Sequence, residues 1–328
     1  MKKLLPLLLL FAAKAVAQMP QADMNITGVS QPVYLTMDGI RNNKITYIRE
    51  TAYVVDSTNT VNRKKIEKIT EYHLGYAGNT PLLVKLLAVM GTDTTKLVRN
   101  EEYGYDPVTG LLTAYQTASN EGIQMGAAGQ VMRNGNGTIT GKSVGISFDL
   151  SKPVKPIDYV VSCSGGTGAK PLSVILKYNK NGKEVMDRIH MEYDTEGRLV
   201  KAIFNNFDGS NTDQNDISYD SKGRLKEVKW SFGRKATEYR VDDGEQGYVT
   251  TEYVAGAKET GNKKWVTHIN VAAYSYDEQG RVDLIKFMHD DKLESMEIYT
   301  YTGTGLPNIV TTANDKGQLT SFRQLTCK

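Results

Sequence analysis

The sequence predicts an all-β protein whose antiparallel β-hairpins repeat to form a curved, elongated sheet or a partly closed barrel. The first observation is a heptapeptide, Tyr-Asp-Thr-Glu-Gly-Arg-Leu at Tyr193–Leu199, which returns with small changes at Tyr219–Leu225 and Tyr276–Val282. The second is the alternation of apolar and polar residues between the copies, which is typical of antiparallel strands with one solvated face. Together they indicate hairpins built on one recurring corner.

The residues of the heptapeptide suit a hairpin turn. Asp at the first position of a type I turn accepts hydrogen bonds from the backbone that follows it. The Gly three residues later tolerates the positive φ of a G1 bulge, and Tyr and Arg-Leu lie on the flanking strands. The predicted structural turn residues are Asp194, Gly197, Asp220, Gly223, Asp277 and Gly280.

Weaker copies of the heptapeptide extend the array. Each keeps the turn Gly but departs from the pattern elsewhere, and they lie at Tyr178–Lys183, Tyr301–Leu306, Ala313–Leu319 and Tyr105–Leu111. On these motifs the chain resembles the YD-repeat, or Rhs-repeat, family of bacterial secreted and cell-surface proteins, over about residues 178–319. The resemblance implies a curled antiparallel strip of hairpins and implies little about activity.

The N-terminus is typical of a cleavable signal peptide. Two lysines precede the apolar core Leu4–Ala13, and Ala15-Val16-Ala17 is a small-x-small cleavage site. We therefore expect residues 1–17 to be removed and the mature protein to be secreted or periplasmic. No Cys follows the cleavage site, so no lipoprotein anchor is expected. No later apolar run is long enough for a membrane helix.

Charge argues against a nucleic-acid partner. The chain has 40 Lys and Arg against 37 Asp and Glu, and removing Lys2, Lys3 and Lys14 with the signal peptide leaves 37 against 37. A phosphate-binding surface needs clustered positive charge. The mature chain is instead formally neutral, with its charges interleaved.

We predict an N-terminal β-rich region over residues 18–150 and the repeat region over 151–328, with a linker at Ser151–Pro156. Within the first region, a hairpin is expected at Asp38-Gly39. Ile66–Tyr76 is expected to form a strand because of its β-branched and aromatic residues, with a helix as the alternative. Pro81–Met90 suits either a buried strand or a short helix. The Gly-rich stretch 122–145 predicts strong sheet curvature or a loop-rich insertion, with a ligand-contacting loop as the alternative.

The sequence predicts no catalytic, cofactor-binding or metal-binding residues. The motifs His-Glu-x-x-His, Gly-x-Ser-x-Gly and Cys-x-x-Cys are absent. Ser164–Lys170 resembles a phosphate loop only superficially and is interpreted as a turn. The four histidines lie far apart in sequence and are interpreted as surface or strand residues: His73, His190, His268 and His289.

Two polar or aromatic groups leave alternatives open. The Asp- and Asn-rich segment 208–216 is interpreted as a solvated turn, with a Ca²⁺ loop as the alternative. Trp230, Trp265 and the tyrosines either pack in the core or form a flat surface for stacking sugars or peptides.

Cys163 and Cys327 are the only cysteines. Because export makes a disulfide chemically possible and an even count leaves one intramolecular pairing, a Cys163–Cys327 bond is predicted, with two unpaired thiols as the alternative.

The sequence thus favours a non-enzymatic exported β-repeat protein with a structural role, or one binding glycan or a cell-envelope protein. The alternative is an envelope hydrolase acting on glycan or peptidoglycan, which would need two carboxylates held close together. A transmembrane barrel is disfavoured because the strands lack a sustained lipid-facing apolar band.

Overall fold

The computed structural model describes residues 38–93, 95–107, 110, 112–119, 125–133, 139–147, 156–167, 170–180, 183–206, 211–240, 246–249 and 258–328. They form one short helix, α1 (Asp38–Asn42), followed only by strands. The strands are β1 (Tyr47–Val55), β2 (Val61–Ala77), β3 (Thr80–Met90), β4 (Leu97–Tyr105), β5 (Leu112–Ser119), β6 (Met125–Arg133), β7 (Ile139–Ser147), β8 (Pro156–Thr167), β9 (Lys170–Lys180), β10 (Lys183–Tyr193), β11 (Leu199–Asn206), β12 (Asn211–Tyr219), β13 (Leu225–Arg240), β14 (Gln246–Val249), β15 (Lys258–Tyr276), β16 (Val282–His289), β17 (Lys292–Tyr301), β18 (Pro307–Asn314) and β19 (Leu319–Cys327).

All strands belong to one antiparallel sheet in which sequence neighbours pair, which confirms the predicted fold class. Among the described strands, the short β14 pairs with β13 alone, and β13 also pairs with β15. β1 pairs with β2 along one edge and with β19 along the other, so the succession of pairings that starts at β1 returns to it. The first and last strands of the array therefore protect each other's edges.

One face of the sheet is buried and holds the core. In β1 the buried residues alternate as Ile48, Glu50 and Ala52, the pattern expected when successive side chains point to opposite faces. The core is drawn from strands all along the array and includes Leu83, Leu86, Tyr103, Val174, Ile189, Met191, Ile217, Val228, Tyr274, Ile285, Tyr299 and Val310. Among the described residues, a continuous core thus lines the buried face.

The N-terminal region corrects one prediction and confirms another. Residues 61–77 form a strand, as predicted for Ile66–Tyr76, and β3 settles the open choice at Pro81–Met90 in favour of a strand. The predicted hairpin at Asp38-Gly39 is wrong, because α1 occupies this position. A Cβ on Gly39 would lie 2.7 Å from the Gly305 carbonyl oxygen, so close tertiary packing uses this Gly.

Strands also run through the Gly-rich stretch and across the predicted domain boundary. β6 pairs with β7, and β7 pairs with β8, so the two predicted regions contribute strands to the same sheet. The predicted signal peptide at residues 1–17 and most of the predicted linker, residues 151–155, lie outside the described residues.

Candidate functional site

The recurring corner is a hydrogen-bonded unit, seen in full at Asp220–Arg224. The Gly223 N–H donates to the Asp220 carbonyl oxygen at 2.9 Å and the Asp220 N–H donates to the Arg224 carbonyl oxygen at 2.8 Å. The Asp220 carboxylate accepts from the backbone N–H of Arg224 at 2.8 Å and from its Nε at 2.7 Å. One aspartate therefore fixes both the turn and the arginine that follows it.

The other two strong copies have the same geometry. Gly197, Gly223 and Gly280 have φ of 74°, 78° and 82°, and the strand pairing shifts register beside each corner. Asp194 and Asp277 hold Arg198 and Arg281 as Asp220 holds Arg224. The three corners follow β10, β12 and β15. Because β13 pairs directly with β15 and β14 is a short side strand, each corner is two strands of the main array from the next. The three corners therefore lie at the same end of the sheet, which we call the corner end.

The corners are joined by arginine–tyrosine stacking. The Arg198 guanidinium lies 4.5 Å from the centroid of the Tyr219 ring, which belongs to the next corner along the sheet. Arg224 lies 4.1 Å from the Tyr276 ring and Arg281 lies 4.3 Å from the Tyr301 ring. The sequence motif is therefore an inter-corner contact as well as a turn, and we call this series the corner ladder.

Each tyrosine hydroxyl in the ladder also bonds the preceding corner. The Tyr219 hydroxyl donates to the Leu199 carbonyl oxygen at 3.0 Å, and the Tyr276 hydroxyl donates to the Leu225 carbonyl oxygen at 2.6 Å. The Tyr301 hydroxyl donates in the same way to Val282. Desolvation raises the pKa of Tyr276 to about 12, so the hydroxyl stays protonated and able to donate at neutral pH.

The corner carboxylates are held in their charged form. Desolvation at Asp194, Asp220 and Asp277 is outweighed by hydrogen bonds from the backbone and side chain of the following arginine, which lower the pKa of each carboxyl. These aspartates serve as permanent acceptors, not as proton donors.

The weaker copies show what the ladder requires. At the Thr302–Leu306 corner, Leu306 stands where the three strong copies have Arg, and the Thr302 hydroxyl replaces the carboxylate as acceptor. The corner at Asn314–Gln318 keeps its turn through the Asn314 side chain, but it lies at the opposite end of the sheet, the far end.

The buried face carries two arginine–glutamate–tyrosine groups. Arg99 Nε lies 2.5 Å from a Glu101 carboxylate oxygen, and the Tyr103 hydroxyl donates to the other oxygen at 2.8 Å. Arg323 donates to Glu297 at 2.8 Å, and the Tyr299 hydroxyl donates to the same carboxylate at 2.6 Å. Both carboxylates therefore accept hydrogen bonds from neighbouring side chains of the sheet itself.

Arg323 also contacts a carboxylate on β1, the strand that pairs with the other edge of β19. Its guanidinium lies 3.7 Å from a carboxylate oxygen of Glu50, a residue that is 5% exposed. Burial of such a carboxylate is costly unless a cation accompanies it. Arg323, on β19, therefore joins the adjacent β1 on one side to β17, which lies beyond β18, on the other.

The structure brings together three residues that the sequence did not connect. His268, His289 and Asp290 lie at the far end, with their potential metal-ligand atoms within 4.8 Å of one another. The two histidines lie on β15 and β16 and are partly exposed, which agrees with their interpretation as surface or strand residues, and their rings stack with centroids 5.5 Å apart. Twenty residues separate the two histidines in sequence, and only the pairing of β15 with β16 makes them neighbours.

The structure supports neither a Ca²⁺ loop in the described part of segment 208–216 nor a stacking surface at Trp230. Asp213 and Asn215 are buried on β12, whereas Asp216 accepts from Gln214 on the opposite face, so these residues do not converge as a Ca²⁺ loop would require. Trp230 is 7% exposed and belongs to the core, so its indole offers no open stacking surface.

Cys327 is a free thiol, so the predicted Cys163–Cys327 disulfide is absent from this structure. Cys163 lies on β8, about halfway round the succession of pairings from β19. The backbone order thus separates the two strands that the bond would join. Desolvation raises the pKa of the Cys327 thiol to about 11.

No known family model matches the chain, and no curated protein matches it in sequence. Among solved structures it is similar to a porin-like protein from Bacteroides vulgatus, with 13% identity, a TM-score of 0.33, and coverage of 71% of this chain and 95% of that one. A porin-like protein from Bacteroides uniformis has 9% identity, a TM-score of 0.29, and coverage of 87% and 96%. In the described part of the chain, no helix has the length and apolar character needed to cross a membrane.

Proposed function

We propose that this chain is a non-enzymatic, exported β-repeat protein of the bacterial cell envelope, with a structural role or a role in binding glycan or another envelope protein. The observation that carries the proposal is the corner ladder. Its Asp, Arg and Tyr side chains bond to one another and to the backbone. The residues that recur in the sequence therefore stabilise the sheet itself.

The carboxylates of the two arginine–glutamate–tyrosine groups support the same proposal over the hydrolase. Glycoside hydrolysis needs a pair of carboxyl groups that face a substrate and exchange protons with it. Glu101 and Glu297 instead each accept from an arginine and a tyrosine on the sheet itself. This is the use expected of structural ion pairs.

Export forms the second part of the proposal and rests on the signal-peptide pattern at residues 1–17. Expression of the full chain, followed by fractionation and N-terminal sequencing, tests it. We expect a mature terminus near Gln18 in the periplasmic, envelope or extracellular fraction. An intact Met1 terminus in correctly localised protein contradicts the predicted cleavage of a signal peptide.

The binding role is tested with purified residues 18–328. A glycan array and sedimentation with peptidoglycan would be run beside glycosidase, peptidase and esterase assays on the same preparation. Saturable binding without turnover supports the proposal. Turnover that is lost in Glu297→Gln or Glu101→Gln, with the thermal melt retained, supports the hydrolase instead.

A further inference from the structure

We propose that His268, His289 and Asp290 form a binding site for a divalent transition-metal ion of the zinc class at the far end of the sheet. The inference is independent of the proposed envelope role. Asp290 Oδ2 lies 2.9 Å from His268 Nδ1 and 3.4 Å from His289 Nε2. Two imidazole nitrogens thus converge on one carboxylate oxygen.

These separations match those between ligands of one metal ion. With zinc–nitrogen and zinc–oxygen bonds of about 2.0–2.2 Å, neighbouring ligand atoms are roughly 3.0–3.5 Å apart in octahedral or tetrahedral geometry. The three ligand atoms lie within 4.8 Å of one another, so the widest separation needs only small side-chain rotations to close around an ion.

Neighbouring groups orient two of the three ligands. His289 Nδ1 lies 2.6 Å from Asn270 Oδ1, and donation of its proton to this oxygen leaves Nε2 with the lone pair that a metal requires. Asp290 Oδ1 accepts the Ile269 backbone N–H at 2.8 Å, which directs Oδ2 toward the histidines. Metal-binding histidines and carboxylates ordinarily have such supporting hydrogen bonds.

The backbone positions the ligands on paired strands and a tight turn. Asn270 on β15 is the register partner of His289 on β16, and Asp290 follows His289 directly. Asp290 and Asp291 have φ of 45° and 64°, values that a two-residue hairpin turn needs and that Gly or Asn adopts more readily than most residues. Aspartate at the first of these positions supplies the carboxylate.

The donor set and exposure define the class of ion. Two imidazoles and one carboxylate suit Zn²⁺, Ni²⁺ or Cu²⁺ better than Ca²⁺ or Mg²⁺, which prefer oxygen ligands. The side chains of His268, His289 and Asp290 are 38%, 39% and 43% exposed. Water or an external ligand can therefore complete the coordination, as in zinc sites with an open position.

Titration of residues 18–328, purified without a polyhistidine tag, tests the site by calorimetry with Zn²⁺ and by visible absorption with Co²⁺. We expect saturable binding of a single ion per chain and Co²⁺ ligand-field bands in the visible range. His289→Gln and Asp290→Asn should each weaken binding by at least about tenfold, and Asn270→Ala by about tenfold through loss of its support to His289.

Matched controls come from the same chain. His190→Gln removes an exposed histidine from β10, and Asp291→Asn alters the adjacent turn residue, so neither should change the affinity. Thermal melts in EDTA establish that each variant folds. At one fixed concentration, Zn²⁺ should raise the melting temperature of the wild type more than that of the ligand variants. Absence of saturable binding, or equal affinity in folded ligand variants, overturns the proposal and leaves a histidine–aspartate contact without a metal-binding role.

Discussion

The Arg198 guanidinium lies in the space beside Gly223: a Cβ on residue 223 would come 3.0 Å from one terminal nitrogen of Arg198. The same arginine stacks on Tyr219, next to the corner that contains this Gly. Gly223 therefore has two reasons to lack a side chain, its φ of 78° and the guanidinium of the neighbouring corner. A mutation there tests the ladder as well as the turn.

We expect Gly223→Ala to destabilise the protein more than Gly317→Ala. Both residues have positive φ, 78° and 75°, which costs an alanine about 1–2 kcal/mol. Only the first also meets a guanidinium, because nothing lies within 4 Å of the Cβ position at Gly317. Urea unfolding should show the difference, and an Arg198→Ala background should remove it. Equal losses in both backgrounds would show that the ladder contact does not constrain this Gly.

The corner aspartates predict an acid-dependent contribution to stability. Because the folded state lowers the pKa of Asp194, Asp220 and Asp277, their contribution is present above the unfolded pKa of about 4 and is lost as the pH falls through the lower folded pKa. A triple Asp→Asn variant should be less stable than wild type at pH 7, with the gap narrowing below about pH 4.

The asparagines should preserve the turns, since Asn314 already accepts two backbone hydrogen bonds at its own corner. Urea unfolding at pH 7, 5 and 3 measures the gap, with Asp315→Asn as an exposed corner control. A gap that stays constant down to pH 3 contradicts the assignment of these carboxylates.

Arg323 should be far more important for stability than an exposed lysine in a comparable ion pair. Arg323→Met leaves Glu50 and Glu297 without their shared cation on the buried face, for which we expect a loss of about 3 kcal/mol. Lys85→Met breaks the 2.9 Å pair with the exposed Glu102 and should cost about 0–1 kcal/mol.

Denaturant unfolding compares the two variants. Adding Glu50→Gln and Glu297→Gln to Arg323→Met should recover part of the loss, because the two carboxylates that contact Arg323 are then replaced by neutral side chains. Similar costs for Arg323→Met and Lys85→Met would indicate that solvent reaches the Arg323 network.

Cys327 should react slowly as long as the protein is folded. Its thiol pKa of about 11 leaves roughly 100-fold less thiolate near pH 8 than an unperturbed cysteine has, and the thiolate is the reactive form. In a Cys163→Ser background, iodoacetamide modification followed by mass spectrometry should show slow native labelling and rapid labelling in urea. Wild-type protein that stays unlabelled in urea without reductant would demonstrate the disulfide that this structure lacks.

The sequence by itself determined the fold class and the chemistry of each corner. Asp220, Gly223 and Arg224 lie within five residues, so turn preference and side-chain-to-backbone bonding specify their geometry locally. The strand over Ile66–Tyr76 was predictable for a similar reason, because its β-branched and aromatic residues favour an extended chain.

Tertiary structure decided what lies beside each corner. The stacking of Arg224 on Tyr276 joins residues 52 positions apart, and β14 lies between them in sequence. No local sequence pattern predicts a contact over that separation. The same holds for the pairing of β1 with β19, and for α1, where packing of Gly39 against Gly305 overrides the turn signal of Asp38-Gly39. The candidate metal site also depends on strand register: a shift of one residue would turn Asn270 and His289 to opposite faces. Side-chain identities are local, whereas register is set by burial along the whole sheet, which is why the sequence alone could not bring His268, His289 and Asp290 together.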